Sequence, residues 1–271
     1  MCFAVAGIIT RMEKEMFDKV FQFAKKTEEE KVRLICFHHA GGSASFFADW
    51  IQMLDPEIGL YPYQLPGHGA RMKEDLCISL EEAAEDAAAE LKHKNLLDKP
   101  ILFLGHSMGG IIAYLTAYLL WSRDQIKIDQ LFITASIPDL NKKAEGEDIQ
   151  LSDLSDEDFC AALKMLGAVN ERMLQVKEFY KYFLPVIRAD IKMVEQYRPD
   201  EAKKITCGIQ IFGGKEDKLV DANQLYTWKN FTSKEVFVKI MEGHHFFVNQ
   251  HKQEVCDAIN IYYRTEMKRQ E

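Results

Sequence analysis

From Lys31 onward, short apolar runs alternate with longer stretches in which apolar residues recur at helical spacing. Residues 33–37, 59–64, 101–104, 130–135, 206–212 and 236–240 are rich in β-branched, leucine or aromatic side chains and predict strands. The clearest helical pattern covers residues 80–91, where Leu80, Ala83, Ala84, Ala87, Ala88 and Leu91 share one face. Ser79 and Glu82 predict a capping box at its start, each satisfying a backbone donor that the first turn leaves free. Such alternation predicts a mostly parallel sheet with helices on both faces. Residues 138–199 break the rhythm. Ser155 can cap a helix carrying Phe159, Ala162, Leu163 and Leu166, and a second stretch holds Phe179, Tyr180, Phe183, Leu184 and Ile187. About 60 residues without a strand is too long for a connection, so a helical lid is expected between the strands at 130–135 and 206–212.

Residues 1–30 stand outside this alternation as an N-terminal extension to a domain of residues 31–271. Met16, Phe17, Val20, Phe21 and Ala24 predict a helix packed on that domain, with initiation at Met12 or Met16 as the alternative. The apolar opening from Met1 to Ile9 has no basic segment before it and no clear cleavage site after it, so neither a signal peptide nor an anchor is expected.

Composition narrows the function classes. The 271 residues are enough for one sizeable core, and 47% apolar with 28% charged residues is ordinary for a globular enzyme. A net charge of -8 gives no support to nucleic-acid binding. An acidic protein partner would need a local basic patch, for which Lys203, Lys204, Lys215 and Lys218 are the candidates. The six cysteines show neither paired spacing nor a zinc pattern, which suits a reducing cytoplasm. No apolar stretch reaches the roughly 18 residues of a membrane span.

The candidate chemistry begins at Gly105-His106-Ser107-Met108-Gly109-Gly110, between the predicted strand at 101–104 and residues 111–121, which have helix-forming composition. A Gly-x-Ser-x-Gly turn between strand and helix is the nucleophile elbow of α/β-hydrolases. A serine hydroxyl is a poor nucleophile and must project from a sharp turn where a base can reach it. Side chains at 105 or 109 would collide with strand or helix. In this fold the acid and then the base follow the nucleophile along the chain. His244 and His245, after the last predicted strand, compete as base, and sequence position alone does not separate them. Asp217 is favoured as the acid because it follows the strand at 206–212; Asp139 follows the previous strand and is its rival, while Glu216 would point elsewhere. Backbone amides of Met108 and of Ala40, in the loop Phe37-His38-His39-Ala40-Gly41-Gly42-Ser43, are expected to form the oxyanion hole. No carboxylate cluster accompanies His38 and His39, so no metal and no cofactor are expected.

Several segments together resemble the type II thioesterases of non-ribosomal peptide and polyketide synthesis. They are residues 33–44, Gln64-Leu65-Pro66-Gly67, the elbow, Leu184-Pro185-Val186-Ile187-Arg188-Ala189-Asp190, Phe212-Gly213-Gly214-Lys215-Glu216-Asp217 and His245-Phe246-Phe247. The likeness spans about residues 31–265. It implies an editing enzyme that strips wrong or stalled acyl groups from the phosphopantetheine arm of acyl- or peptidyl-carrier proteins. The chain is expected to be a cytoplasmic monomer without nucleic-acid or membrane contacts. It also implies that the base is His245, directly before the Phe-Phe pair. The chain departs from the family pattern at His38 and His39, His68, His244 and the stretch Gly167-Ala168-Val169-Asn170. Phe159, Leu163, Met165 and Met173 could line an acyl path. The rival readings are a carboxylesterase or lipase acting on oxygen esters, and a binding protein that kept the fold without the chemistry.

Overall fold

The computed structural model describes residues 18–140 and 150–268. Six strands, β1 (Val32–Phe37), β2 (Ile58–Tyr63), β3 (Ile101–His106), β4 (Gln130–Thr134), β5 (Gly208–Gly214) and β6 (Val236–Met241), form one sheet in the order β2-β1-β3-β4-β5-β6, every pair parallel. These are the six predicted strands. β5 is displaced by two residues towards the C-terminus, ending in the two glycines before Lys215. Helices α1 (Leu80–His93), α2 (Met108–Asp124) and α6 (Lys252–Tyr262) flank the sheet, whereas α3 (Asp156–Met165), α4 (Glu171–Leu174) and α5 (Leu184–Gln196) lie in the insertion between β4 and β5.

Strand pleat divides the core. Ile35 and Phe37 of β1 enter one cluster with α1 and α2, while Leu34 and Cys36 enter another with Trp50 and with Val255 and Ile259 of α6. A parallel sheet covered on both faces requires such continuous apolar strands. α2 is buried on nearly all sides, so no amphipathic stripe marks it in the sequence. The lid has its own small core around Phe159, Leu163, Phe179 and Ile187.

Two local details differ from expectation. At α1, Ser79 Oγ accepts from the Glu82 amide at 3.1 Å, but Glu82 reaches back to the Ile78 amide rather than to that of Ser79. The predicted N-terminal helix does not form over its described part. Asp18 Oδ1 takes the amides of Val20 and Phe21, a local bond that competes with a helix, and Lys25 pairs with Leu60 in an antiparallel bridge. Val20 and Phe21 are still buried, Phe21 against Tyr61 and Tyr63. Met16 and Phe17 lie outside the described residues.

Candidate active site

β3 leads straight into Ser107, whose amide extends the ladder to the Thr134 carbonyl at 2.9 Å. Ser107 holds φ 54° and ψ -122°, a conformation that costs a non-glycine residue about 1–3 kcal/mol. Two glycines make this corner possible. A Cβ on Gly105 would meet the Gly109 carbonyl oxygen at 2.3 Å, and one on Gly109 would meet the Phe37 carbonyl oxygen at 2.1 Å. α2 begins at the next residue and directs its N-terminal amides towards the hydroxyl, where negative charge would develop.

Beyond β6 the chain turns at Gly243, with φ +116°. The turn sends the two histidines in opposite directions. His244 is exposed and bonds through Nδ1 to the Glu216 carbonyl, whereas His245 is buried with Nε2 2.9 Å from Ser107 Oγ and Nδ1 2.8 Å from Asp217 Oδ2. With Nδ1–H donated to the carboxylate, Nε2 is free to accept the serine proton. Asp217, its side chain fully buried, follows β5, and its Oδ1 accepts the amides of Leu219 at 2.9 Å and Val220 at 3.1 Å. Glu216 turns away to accept the Gly243 amide. Asp139 lies near Tyr197, whose phenol is pushed up chiefly by burial and further by neighbouring carboxylates.

Neutral aromatic rings wall His245. His106 stacks on Phe46 at 5.4 Å and sits 5.6 Å from His245, while His39 packs edge-on to Phe46, His106 and Phe246. Burial, then the field of His245, pushes His39 down to about 3 and His106 well below its ordinary value. Both rings are therefore uncharged at neutral pH, leaving His245 free of a fixed cation at its side. Among the described residues, no group of three or more histidine, cysteine or acidic side chains is arranged to hold a metal ion.

The serine opens into a cavity of about 520 Å³ that the lid helps to wall. Ala40 and Met108 flank Ser107, and Leu140, Leu163, Met173, Ile187, Ile191 and Val194 supply apolar walls. Of the four side chains expected along an acyl path, Leu163 and Met173 line this cavity and two do not. Met165 is 78% exposed, and Phe159 is buried inside the lid beneath the Arg188 guanidinium. Ile187, Ile191 and Val194 are further wall residues, and their spacing along α5 puts them on one face. The four candidate lysines do not form one patch. Lys203 and Lys204 precede β5 and Lys215 and Lys218 follow it, so the strand separates them by roughly 3.3 Å per residue. Lys215 is paired with Glu242, and Lys218 lies at the cavity. Among the described residues, no helix is long and apolar enough to cross a membrane.

A family model described as a thioesterase domain matches residues 32–262. Thioesterase PikA5 of Streptomyces venezuelae is 31% identical over 84% of this chain and 80% of its own length. The medium-chain S-acyl fatty acid synthase thioesterase of Homo sapiens is 30% identical over 85% of this chain and 86% of its own. Among solved structures, ClbQ from the colibactin NRPS/PKS pathway superposes with a TM-score of 0.79 and 27% identity, covering 87% of this chain and 98% of ClbQ.

Proposed function

The chain belongs to the thioesterase family and is a thioester hydrolase of the α/β-hydrolase fold, and from that premise we propose that it acts in trans on carrier proteins, freeing their phosphopantetheine arms of stalled or wrong acyl groups during non-ribosomal peptide or polyketide synthesis. The observation that carries this reading is the Ser107 hydroxyl, hydrogen-bonded to His245 and facing an apolar cavity large enough for an acyl group. The pathway named for ClbQ supports the setting.

In this reading Ser107 Oγ attacks the thioester carbonyl while its proton passes to His245 Nε2. The amides of Met108 and Ala40 hold the oxyanion, and Asp217 stabilises the imidazolium. Collapse breaks the C–S bond, and the departing thiolate takes the proton from His245. Water then gives a proton to His245 as its oxygen attacks the acyl-serine. The ester C–O bond breaks, Ser107 recovers that proton, and a free acid leaves. Thiolate is a better leaving group than alkoxide, so little is asked of the acid step. In this reading Lys218, which lines the cavity, meets the arm of an arriving carrier.

Carrier proteins loaded with different acyl groups, incubated with enzyme and weighed by mass spectrometry, test the proposal. Loss of acyl mass with wild type but not with Ser107→Ala supports it; equal turnover of a matched oxygen ester counts against it. The apolar walls favour a second reading, a medium-chain fatty-acyl thioesterase, which the same panel separates through its preference for aliphatic over aminoacyl loads.

A further inference from the structure

The lid is tied to the core by a buried carboxylate. Asp190, on α5, is fully buried, and its Oδ2 accepts the Gly41 amide at 2.7 Å and faces His68 Nε2 at 2.9 Å. His68 Nδ1 in turn lies 2.8 Å from the Pro66 carbonyl oxygen. With Asp190 ionised, either neutral tautomer would set a nitrogen lone pair against an oxygen, at Pro66 or at Asp190, and only a ring protonated on both nitrogens donates to both. Among the described residues Asp190 Oδ1 is buried with no hydrogen-bond partner, and the His68 imidazolium, against Oδ2, is the carboxylate's charge complement. The fit at Gly41 is close. Its φ is +70°, and a Cβ there would meet Ile187 Cγ1, also on α5, at 2.3 Å. Lid helix and loop therefore meet at Gly41 both by packing and by charge.

We propose that His68 is a positioning residue for thioester hydrolysis: as an imidazolium it holds Asp190, which fixes the Gly41 amide and so keeps the turn carrying Ala40 in one orientation towards Ser107. The proposal rests on the oxyanion role given to Ala40 above. A preorganised donor keeps its value only while its backbone is held, and a displacement near 1 Å can cost about a hundredfold in rate.

The surroundings decide the pH at which the device is intact. Facing His68 are Asp190 from α5, Arg71 from the 3₁₀ turn Gly69–Arg71, and the rings of His38, at 5.2 Å, and His39 from the loop after β1. Asp86 and Glu74 take up the Arg71 charge. His38 and His39 are neutral, each lowered to about 3 mainly by burial. The Cys77 thiol, which feels Asp190, is pushed up to about 12 by burial and stays protonated. Burial pulls His68 down, but Asp190 outweighs it, and the ring holds its proton above the ordinary histidine range. The imidazolium is therefore fully present below the unfolded value of about 6.5 and is lost as pH rises through the raised folded value. Its loss leaves a buried carboxylate without its cation, and hydrolysis falls on the alkaline side.

The test measures kcat and KM against pH with the octanoyl thioester of N-acetylcysteamine and the full chain. The expected wild-type profile has an alkaline fall in kcat of about tenfold with KM within about twofold. His68→Gln removes the charge and lowers kcat at least about tenfold at neutral pH. His68→Arg restores a cation that does not titrate in this range, recovers much of that loss and abolishes the alkaline fall. An arginine variant whose alkaline fall coincides with wild type, or a glutamine variant with wild-type kcat, overturns the proposal. Should both variants fail to fold, the ring-nitrogen chemical shifts of His68 in the wild type decide: two protonated nitrogens at neutral pH uphold it, and a neutral ring overturns it. Failure of the serine reading is visible separately, as persistent turnover by Ser107→Ala.

Discussion

Replacing Asp217 by asparagine keeps the shape of the site and reverses its proton logic. Two backbone amides, of Leu219 and Val220, already point at Oδ1. An asparagine therefore places its carbonyl oxygen there, and its NH2 takes the place of Oδ2, 2.8 Å from His245 Nδ1. A donor now faces Nδ1, so the imidazole must present a lone pair at Nδ1 and carry its proton on Nε2. That proton points at Ser107 Oγ, 2.9 Å away, and the ring can no longer accept the serine proton. A tautomer inverted in this way costs about ten-thousandfold in kcat, or about 5 kcal/mol of transition-state stabilisation. The assay is steady-state hydrolysis of an acyl-carrier thioester, with the rate of fluorophosphonate labelling as a direct readout of serine nucleophilicity. Thermal unfolding of the variant should stay close to wild type, since the substitution is isosteric. Asp139→Asn, made in parallel, should leave kcat within about twofold, because it is Asp217, and not Asp139, that is hydrogen-bonded to His245. Retention of more than about a tenth of wild-type turnover by Asp217→Asn would refute the reasoning, and so would a collapse of activity in Asp139→Asn.

Three further outcomes can be measured. Gly109→Ala drives a methyl into the Phe37 carbonyl, backbone against backbone, and should cost about 3 kcal/mol or more in urea unfolding; a wild-type midpoint would contradict the close approach. Glu30 is buried and accepts from Arg33 at 2.9 Å, Tyr61 at 2.7 Å and Lys99 at 3.2 Å. Burial raises its carboxyl, but those donors outweigh it and hold it below its ordinary value, so its contribution is present above the unfolded value of about 4.3 and lost as pH falls through the folded one. Glu30→Gln should therefore destabilise by about 3 kcal/mol at neutral pH and flatten the acid side of the stability curve. Ile191→Trp, on a cavity wall, should raise KM for long acyl thioesters about tenfold more than for acetyl; equal effects on both would place the acyl chain elsewhere.

Much of the architecture was legible because it is written in local chemistry. A buried strand must be continuously apolar, the corner at Ser107 tolerates only glycine at 105 and 109, and a helix start needs a side chain such as Ser79 or Ser155 to accept a free amide. Each of these constraints acts within a few residues, so composition at the right spacing reveals it. The N-terminal segment shows where this stops. Val20, Phe21 and Ala24 have helical spacing, but burial against β2 and the Asp18 turn decided their conformation. Long-range choices were decided only by the folded chain. Nothing local tells His244 from His245 until the Gly243 turn sends one ring outward and the other to Ser107. Nothing local joins His68 to Asp190, which are 122 residues apart and meet only when the lid settles on the loop after β2. Met165 and Phe159 could not be sorted from Leu163 and Met173, because the side of a helix that faces a cavity depends on what packs against its other side. Sequence carries short-range sterics and hydrogen bonding directly, whereas the partner of a buried charge and the lining of a cavity exist only once distant segments share one dry interior.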